Sequence, residues 1–140
     1  MSGRSFLDTN IFVYTLDRTN PEKAGIALDL IKTHVAQRSG VVSFQVVQEF
    51  FNVAYKRFPS AMPMENGAEY LATVFRPLLS VHSSLALYSE ALSVCRRYRL
   101  AWYDSVIVAA AMESGCVTLF TEDMQHGAKF GSVQIENPFR

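Results

Sequence analysis

Short apolar segments that alternate with helical segments are the feature that most restricts the fold of this 140-residue chain. Helical spacing of apolar residues fills the stretches between these segments. A parallel pair of strands needs a helix-length connection, so regular alternation favours a parallel sheet. We therefore predict one α/β domain over residues 1–140, with three layers and a central parallel sheet of about five strands. The strand-like segments are 5–8, 41–42, 78–81, 117–120 and 133–135.

The helix boundaries follow from capping residues. Asn20 and Pro21 suit the start of a helix over about 21–38, and we expect Gly40 to end it. Met64 to Phe75 reads as one helix that Pro77 stops. The other helices are predicted at 11–16, from Ser43 through Ala54, from Ser83 or Ser84 to about Tyr98, and at 103–114.

Charge and composition exclude several classes of protein. The formal net charge is zero, which argues against binding of nucleic acid by bulk positive charge. The two cysteines form no recognised metal-binding pattern, and their low number favours a reducing compartment. The longest apolar run, 106–112, is far shorter than the roughly 20 residues of a membrane span. We expect a cytoplasmic protein without a membrane span.

Four acidic residues follow strands or lie in helices near the same sheet edge. Asp8 ends the first strand, and Asp123 comes just after the fourth. Glu49 and Asp104 lie in helices that start from that edge or pack behind it. Functional sites of open α/β sheets lie outside the carboxyl ends of the strands. The sequence therefore predicts that these four carboxylates meet.

Each acid also has a purely structural interpretation. Asp8 can cap the following helix, Asp123 can be a turn residue, and Asp104 can interact with a helix dipole. Glu49 lies among valine and phenylalanine residues, where an unpaired carboxylate is costly, unless it sits on an exposed helix edge. One shared site explains all four positions, whereas the structural interpretations need a separate reason for each acid.

Clustered carboxylates raise one another's pKa and need compensating positive charge. An oxygen-only set without nearby His or Cys favours Mg²⁺ or Mn²⁺ over zinc. Such ions commonly activate water for in-line attack on a phosphodiester. The predicted chemistry is therefore metal-dependent phosphodiester hydrolysis.

These residues resemble the PIN domain family, and within it the VapC-type toxins. The resemblance implies an α/β/α fold and a Mg²⁺- or Mn²⁺-dependent ribonuclease that cleaves RNA. It also implies a VapB-like antitoxin as partner and a homodimer. The matching segments are Phe6-Leu7-Asp8-Thr9-Asn10 with Tyr14 and Asp17, Ser43 with Glu49, Trp102-Tyr103-Asp104, and Thr121-Glu122-Asp123.

By this resemblance, the catalytic and metal-binding set is Asp8, Glu49, Asp104 and Asp123. Thr9 and Asn10 are expected to orient Asp8, and Thr121 to steady the site. Glu122 adjoins Asp123, and the sequence alone leaves open which of the two faces the site, although the family pattern favours Asp123.

A basic and aromatic segment is the candidate RNA contact. Phosphate binding and base stacking are its functional interpretation, and a solvated helix end is its structural one. The candidate residues are Arg96, Arg97, Arg99 and Trp102, with Lys56 in an earlier helix.

The predicted function is an endoribonuclease that is the toxin of a toxin–antitoxin pair. One alternative is a PIN nuclease of RNA processing without an antitoxin. Another is a PIN-like module that binds RNA or protein without cleavage, although the complete acid quartet argues against it. A dinucleotide-binding enzyme is disfavoured because no GxGxxG motif follows the first strand.

Overall fold

A computed structural model describes residues 3–140 and places six strands of that range in one sheet. The order across the sheet is β3-β2-β1-β4-β6-β5, and every neighbouring pair is parallel except β5 with β6. The predicted α/β class with a central parallel sheet is therefore confirmed. The strands are β1 (Arg4–Leu7), β2 (Gly40–Ser43), β3 (Leu79–Val81), β4 (Cys116–Phe120), β5 (Lys129–Phe130) and β6 (Val133–Glu136).

The additional strand, β5, has only two residues. Lys129 pairs with Gln134 and Phe130 with Val133, and Gly131 in the connecting turn has a φ of 62°. Glycine adopts this left-handed conformation without the cost that a Cβ imposes. Two residues are too few to show the alternating pattern of a strand, so no pattern in the sequence indicates β5.

Helices cover both faces of the sheet. The connections from β1 to β2 and from β2 to β3 move in one direction, and the connection from β3 to β4 moves back in the other. Because such crossovers are right-handed, α2–α4 cover one face while α5 and α6 cover the other. In residues 3–140 the α-helices are α1 (Thr9–Tyr14), α2 (Pro21–Ala36), α3 (Phe44–Arg57), α4 (Gly67–Tyr70), α5 (Leu85–Tyr98) and α6 (Trp102–Glu113).

Two helix predictions need correction. The expected helix over 64–75 is a 3₁₀ turn (Met64–Asn66), then α4, then a π-helical segment (Leu71–Phe75). Helix α2 begins at Pro21 after Asn20, as predicted, but ends at Ala36 because Arg38 adopts a left-handed φ of 54°. Gly40 does not end this helix. It begins β2, where a Cβ would lie 2.7 Å from Leu78 Cδ2.

The core fixes the helices that carry the site. Residues 105–111 of α6 are all buried. On the other face, Phe12 of α1 and Phe50 of α3 both contact Phe75, with ring centroids 5.0 Å and 5.3 Å apart. These contacts hold α1 and α3 together next to β1. No helix in residues 3–140 combines the length and hydropathy that a membrane span requires.

The direction of the chain across the sheet reverses between β1 and β4. From β1 the chain builds β2 and β3 on one side, and then returns to place β4 on the other. A crevice forms at such a switch point, outside the carboxyl ends of the strands. Asp8 follows β1 and Thr121 follows β4, so both residues lie at this crevice.

Candidate active site

Asp8 is the first residue after β1, and only 5% of it is exposed. Its Oδ1 accepts a 2.7 Å hydrogen bond from the backbone N–H of Thr9, so Asp8 caps α1. Its Oδ2 accepts a 2.7 Å hydrogen bond from the hydroxyl of Thr121. A carboxylate offers about four lone-pair positions, so Asp8 can cap a helix and still bind another group.

Burial raises the pKa of Asp8 to about 7. The hydrogen bonds from Thr121 and Thr9 lower this pKa, whereas the negative charges of Asp123 and Glu49 raise it further. No Lys or Arg in residues 3–140 forms an ion pair with Asp8. A bound cation would therefore stabilise this carboxylate more than any group of the described chain does.

Glu49 is tied to α1 and to its own helix. The hydroxyl of Thr9 donates a 2.7 Å hydrogen bond to Glu49 Oε1. Gln45 Nε2 lies 3.4 Å from Glu49 Oε2 and 3.3 Å from the carbonyl oxygen of Tyr103. Gln45 is 5% exposed, so a buried amide bridges α3 to the first turn of α6.

Asp104 lies in that first turn of α6 and is half-buried. Its pKa is raised by burial and then by the charges of Asp123 and Glu49. The same two charges raise the pKa of Asp8. The charges of Asp123 and Glu49 thus reach both Asp8 and Asp104 at one edge of the sheet.

Of the adjacent acids Glu122 and Asp123, only Asp123 faces this cluster. Its backbone N–H donates to Thr121 Oγ1 at 3.1 Å, and its Oδ2 accepts from Asn10 Nδ2 at 3.1 Å. Asn10 Nδ2 also lies 3.4 Å from Thr121 Oγ1, and Asn10 Oδ1 accepts from the backbone N–H of Glu122, so Asn10 reaches Asp8 through Thr121; its role in orienting Asp8 stays a prediction. Asn10 is the second residue of α1, so its side chain reaches the loop after β4.

Glu122 points away from the acids, toward Tyr14 and Lys23. Both donate hydrogen bonds to its carboxylate, and Lys23–Glu122 is the one ion pair within residues 3–140. Burial alone would raise the pKa of Glu122, but these hydrogen bonds outweigh it and lower the pKa. The ring of Phe139 packs 4.8 Å from that of Tyr14. This cluster fixes the orientation of the loop that carries Asp123.

The donor chemistry fits a hard divalent cation, because the clustered acids and their neighbours offer only oxygen. No three acidic, His or Cys side chains in the described part of the chain lie close enough to form a complete ligand set. Mg²⁺ commonly uses one or two carboxylates and completes its shell with water and substrate phosphates. Asp8 and Asp104 would hold such an ion, with Glu49 and Asp123 beside it.

A cleft of about 500 Å³ lies between α1 and α3, and Asp8 and Asp104 are not among its lining residues. Glu49 and Asp123 lie at one part of its lining, and Arg57 and Phe58 lie at the end of α3. Its volume falls in the usual range for a ligand site. Asn10, Tyr14 and Asn52 line the space between.

The other candidate RNA contacts lie outside this cleft. Arg96, Arg97 and Arg99 are exposed at the end of α5, and Arg97 lines a separate cleft of about 250 Å³ beside Gly131. Trp102 is 38% exposed and stacks on Tyr88. Lys56 is exposed and does not line the cleft of the acids. Their roles in RNA binding stay predictions.

Sequence reasoning missed Gln45 and Lys23. Gln45 and Glu49 are four residues apart, a spacing that places both side chains on one face of a helix. That spacing could have identified Gln45. Lys23 gave no comparable signal, because its partner Glu122 is 99 residues away in the sequence.

The family model described as the PIN domain matches residues 5–128. This range includes all four acids and both strands that flank the crevice. Among curated proteins, none matches the chain.

Several solved structures share the fold at low sequence identity. FitAcB from Neisseria gonorrhoeae is 19% identical with a TM-score of 0.65, and the match covers 96% of this chain and 98% of that one. VapBC2 from Rickettsia felis, bound to a DNA fragment from its promoter, is 18% identical with a TM-score of 0.62, over 95% and 97%. Mycobacterium tuberculosis VapC20, a toxin that cleaves the sarcin-ricin loop, is 20% identical with a TM-score of 0.59, over 85% and 91%.

Proposed function

This chain belongs to the PIN domain family, and from that premise we propose that it is a Mg²⁺- or Mn²⁺-dependent endoribonuclease, the toxin of a toxin–antitoxin pair. The observation that carries the proposal is the crevice between β1 and β4, where the charges of Asp123 and Glu49 act on both Asp8 and Asp104. Two side-chain hydrogen bonds hold this arrangement, one from Thr121 to Asp8 and one from Thr9 to Glu49.

Each acid has a role that follows from its surroundings. Asp8 and Asp104 would hold the cation, because burial makes their negative charges costly without one. When bound, the cation supplies activation of water and neutralisation of phosphate charge. Glu49 and Asp123 orient water and substrate at the edge of the cleft. Thr121 fixes Asp8, and Asn10 fixes Asp123.

The partners follow from the structural relatives. FitAcB and VapBC2 are similar to this chain over nearly its whole length. We therefore expect a VapB-like antitoxin that inhibits this protein. A homodimer and a cytoplasmic location are proposed from the resemblance of the sequence to VapC-type toxins. The product of a small gene next to this one, co-expressed with it, should co-purify with it and suppress RNA cleavage.

The decisive experiment measures RNA cleavage by the purified protein with Mg²⁺, with Mn²⁺ and with excess EDTA. We expect cleavage with either metal ion, none in EDTA, and a loss of about 100-fold or more in Asp8→Asn. Asp29→Asn, an exposed site on α2, is the matched control and should retain activity. Full activity in EDTA or in Asp8→Asn would contradict the proposal. If the protein cleaves RNA as expected, sequencing of RNA 5′ ends after induced expression would identify the target.

A further inference from the structure

The cleft that Glu49 and Asp123 line continues past the end of α3. A second cleft of about 290 Å³ begins where the first one ends. Asp17, Arg57 and Phe58 line both clefts, so the two form one continuous groove. Arg18 lies along the second part. The groove therefore joins the acidic crevice to a region that carries two arginines.

Arg57 is available to bind an anion. Its guanidinium forms no ion pair within residues 3–140, and the residue is exposed. Asp17 is the nearby acid. Hydrogen bonds to its Oδ1 from the hydroxyl and the backbone N–H of Thr19, at 2.6 Å and 3.0 Å, lower its pKa most, and the charge of Arg57 lowers it further without forming an ion pair. An arginine fork suits a phosphate, which it binds through two parallel hydrogen bonds.

Phe58 places an aromatic ring beside that guanidinium. The guanidinium carbon of Arg57 lies 5.3 Å from the centre of the Phe58 ring. Phe58 is half-buried and lines both parts of the groove. Cations and aromatic rings side by side are the combination that binds single-stranded nucleic acid, through phosphates and stacked bases.

We propose that this groove binds single-stranded RNA beyond the bond to be cleaved, with Arg57 contacting a phosphate and Phe58 stacking on a base. The inference rests on the proposed function, because the groove leads away from the proposed catalytic acids. RNA is favoured over a protein segment since the exposed amide of Asn52 precedes the arginine along the groove. Amides can bind base edges, and the arginines match the charge of a phosphate backbone.

The test measures binding of a short fluorescent single-stranded RNA by anisotropy over a series of salt concentrations, with Mg²⁺ present. All proteins carry Asp8→Asn, so cleavage does not affect the readout. Arg57→Gln should weaken binding by roughly 5- to 20-fold and reduce the slope of log K against log salt by about 0.7, as expected for one lost phosphate contact. A duplex RNA of the same length should compete poorly, because its bases are not free to stack.

Two further variants separate the contacts. Phe58→Leu should weaken binding by roughly fivefold or more but leave the salt slope unchanged, since stacking involves no counterion release. Arg76→Gln is the control, because it removes the same charge from an exposed residue that lines neither part of the groove. Its affinity should stay within about twofold of the parent. Thermal melts check that Phe58→Leu, which alters a half-buried ring, is folded.

Unchanged affinity and salt slope in Arg57→Gln would overturn the inference, whatever Phe58→Leu shows, and would leave the groove to a protein segment. An equal loss in Arg76→Gln would also overturn it, because the effect would then be one of bulk charge. If the protein with an intact Asp8 cleaves RNA while Arg57→Gln binds normally, the inference fails and the nuclease proposal stands. If binding depends on Arg57 but no metal supports cleavage, the nuclease proposal fails and the groove stands.

Discussion

The hydroxyl of Thr121 donates a 2.7 Å hydrogen bond to Oδ2 of Asp8, although 113 positions separate the two residues in the sequence. Both side chains are buried, so this bond ties the carboxyl end of β4 to that of β1. Thr121 Oγ1 also accepts from the backbone N–H of Asp123. One hydroxyl thus positions two of the four acids.

Replacement of this hydroxyl should therefore destabilise the protein in a pH-dependent way. Thr121→Val leaves a buried carboxylate oxygen without its donor, which costs about 1–3 kcal/mol. The bond lowers the pKa of Asp8, so its loss should raise that pKa further. We expect the loss of unfolding free energy to be larger at pH 8, where Asp8 is ionised, than at pH 5, where it is protonated.

Urea unfolding at the two pH values measures this difference. Thr118→Val is the matched control, since Thr118 is also on β4 and no side-chain hydrogen bond is described for it within residues 3–140. Equal losses for both variants at both pH values would show that the Thr121–Asp8 bond has no special effect.

Asp8 itself should make the metal-free protein less stable as pH rises. Its folded pKa of about 7 lies above its ordinary value of 3.8, so the folded state holds the proton more tightly. The contribution of Asp8 to the free energy of unfolding is then largest below about pH 4 and falls as pH rises from there to about 7. A shift of this size corresponds to a loss on the order of 4 kcal/mol.

Asp8→Asn should remove this pH dependence. The asparagine amide can still accept from Thr9 and donate to Thr121, so the local hydrogen bonds survive. In EDTA the variant should melt at a higher temperature than the parent at pH 8, and at nearly the same temperature at pH 4. Mn²⁺ should stabilise the parent and not the variant. If the melting temperature of the parent does not rise relative to that of Asp8→Asn when the pH is lowered from 8 to 4, the assigned burial of Asp8 is contradicted.

The position of Asp8 and Asp123 could be predicted because each comes shortly after a short apolar run that forms a strand. Parallel alternation then brings Asp8 and Asp123 to the same edge, whatever the strand order. The orientation of Glu122 could not be predicted, since it depends on Lys23 and Tyr14, 99 and 108 positions away. Neighbouring residues in a loop have no period that assigns one of them to the interior.

The same limit applies to two other features. β5 has two residues, fewer than any periodic pattern needs. The segment 64–75 has a helical composition, but it ends in π-helical turns where Phe75 packs against Phe12 and Phe50, which lie far away in the sequence. No local pattern indicates either feature.

The Lys23–Glu122 pair should contribute modestly to stability. The two side chains are 30% and 27% exposed, so solvent screens the pair and we expect only a small favourable coupling energy. A double-mutant cycle with Lys23→Met and Glu122→Gln measures it by urea unfolding. Because the pKa of Glu122 is lowered, this coupling should be present above pH 4.5 and lost as pH falls below that value.

High salt provides the control for this cycle. At 1 M NaCl the Debye length is about 3 Å, so the coupling should decrease but not vanish in a half-buried pair. Lys23→Met should also lower the rate of RNA cleavage by roughly 2- to 5-fold, because the loop that carries Asp123 is less firmly held. A coupling of zero at pH 7 would mean that Lys23 does not fix Glu122.

Gln45 should affect activity and stability in opposite directions. Its Oε1 is buried without a hydrogen-bond partner, whereas its Nε2 contacts Glu49 and the carbonyl of Tyr103. Gln45→Leu removes an unsatisfied acceptor and keeps a similar volume, so the free energy of unfolding should stay equal or rise by about 1 kcal/mol. It also removes the donor shared by α3 and α6, so kcat for RNA cleavage should fall roughly tenfold with little change in KM. Gln48→Leu, on an exposed position of the same helix, should leave kcat unchanged. A purely structural role for Gln45 would give the reverse pattern, with stability lost and kcat retained.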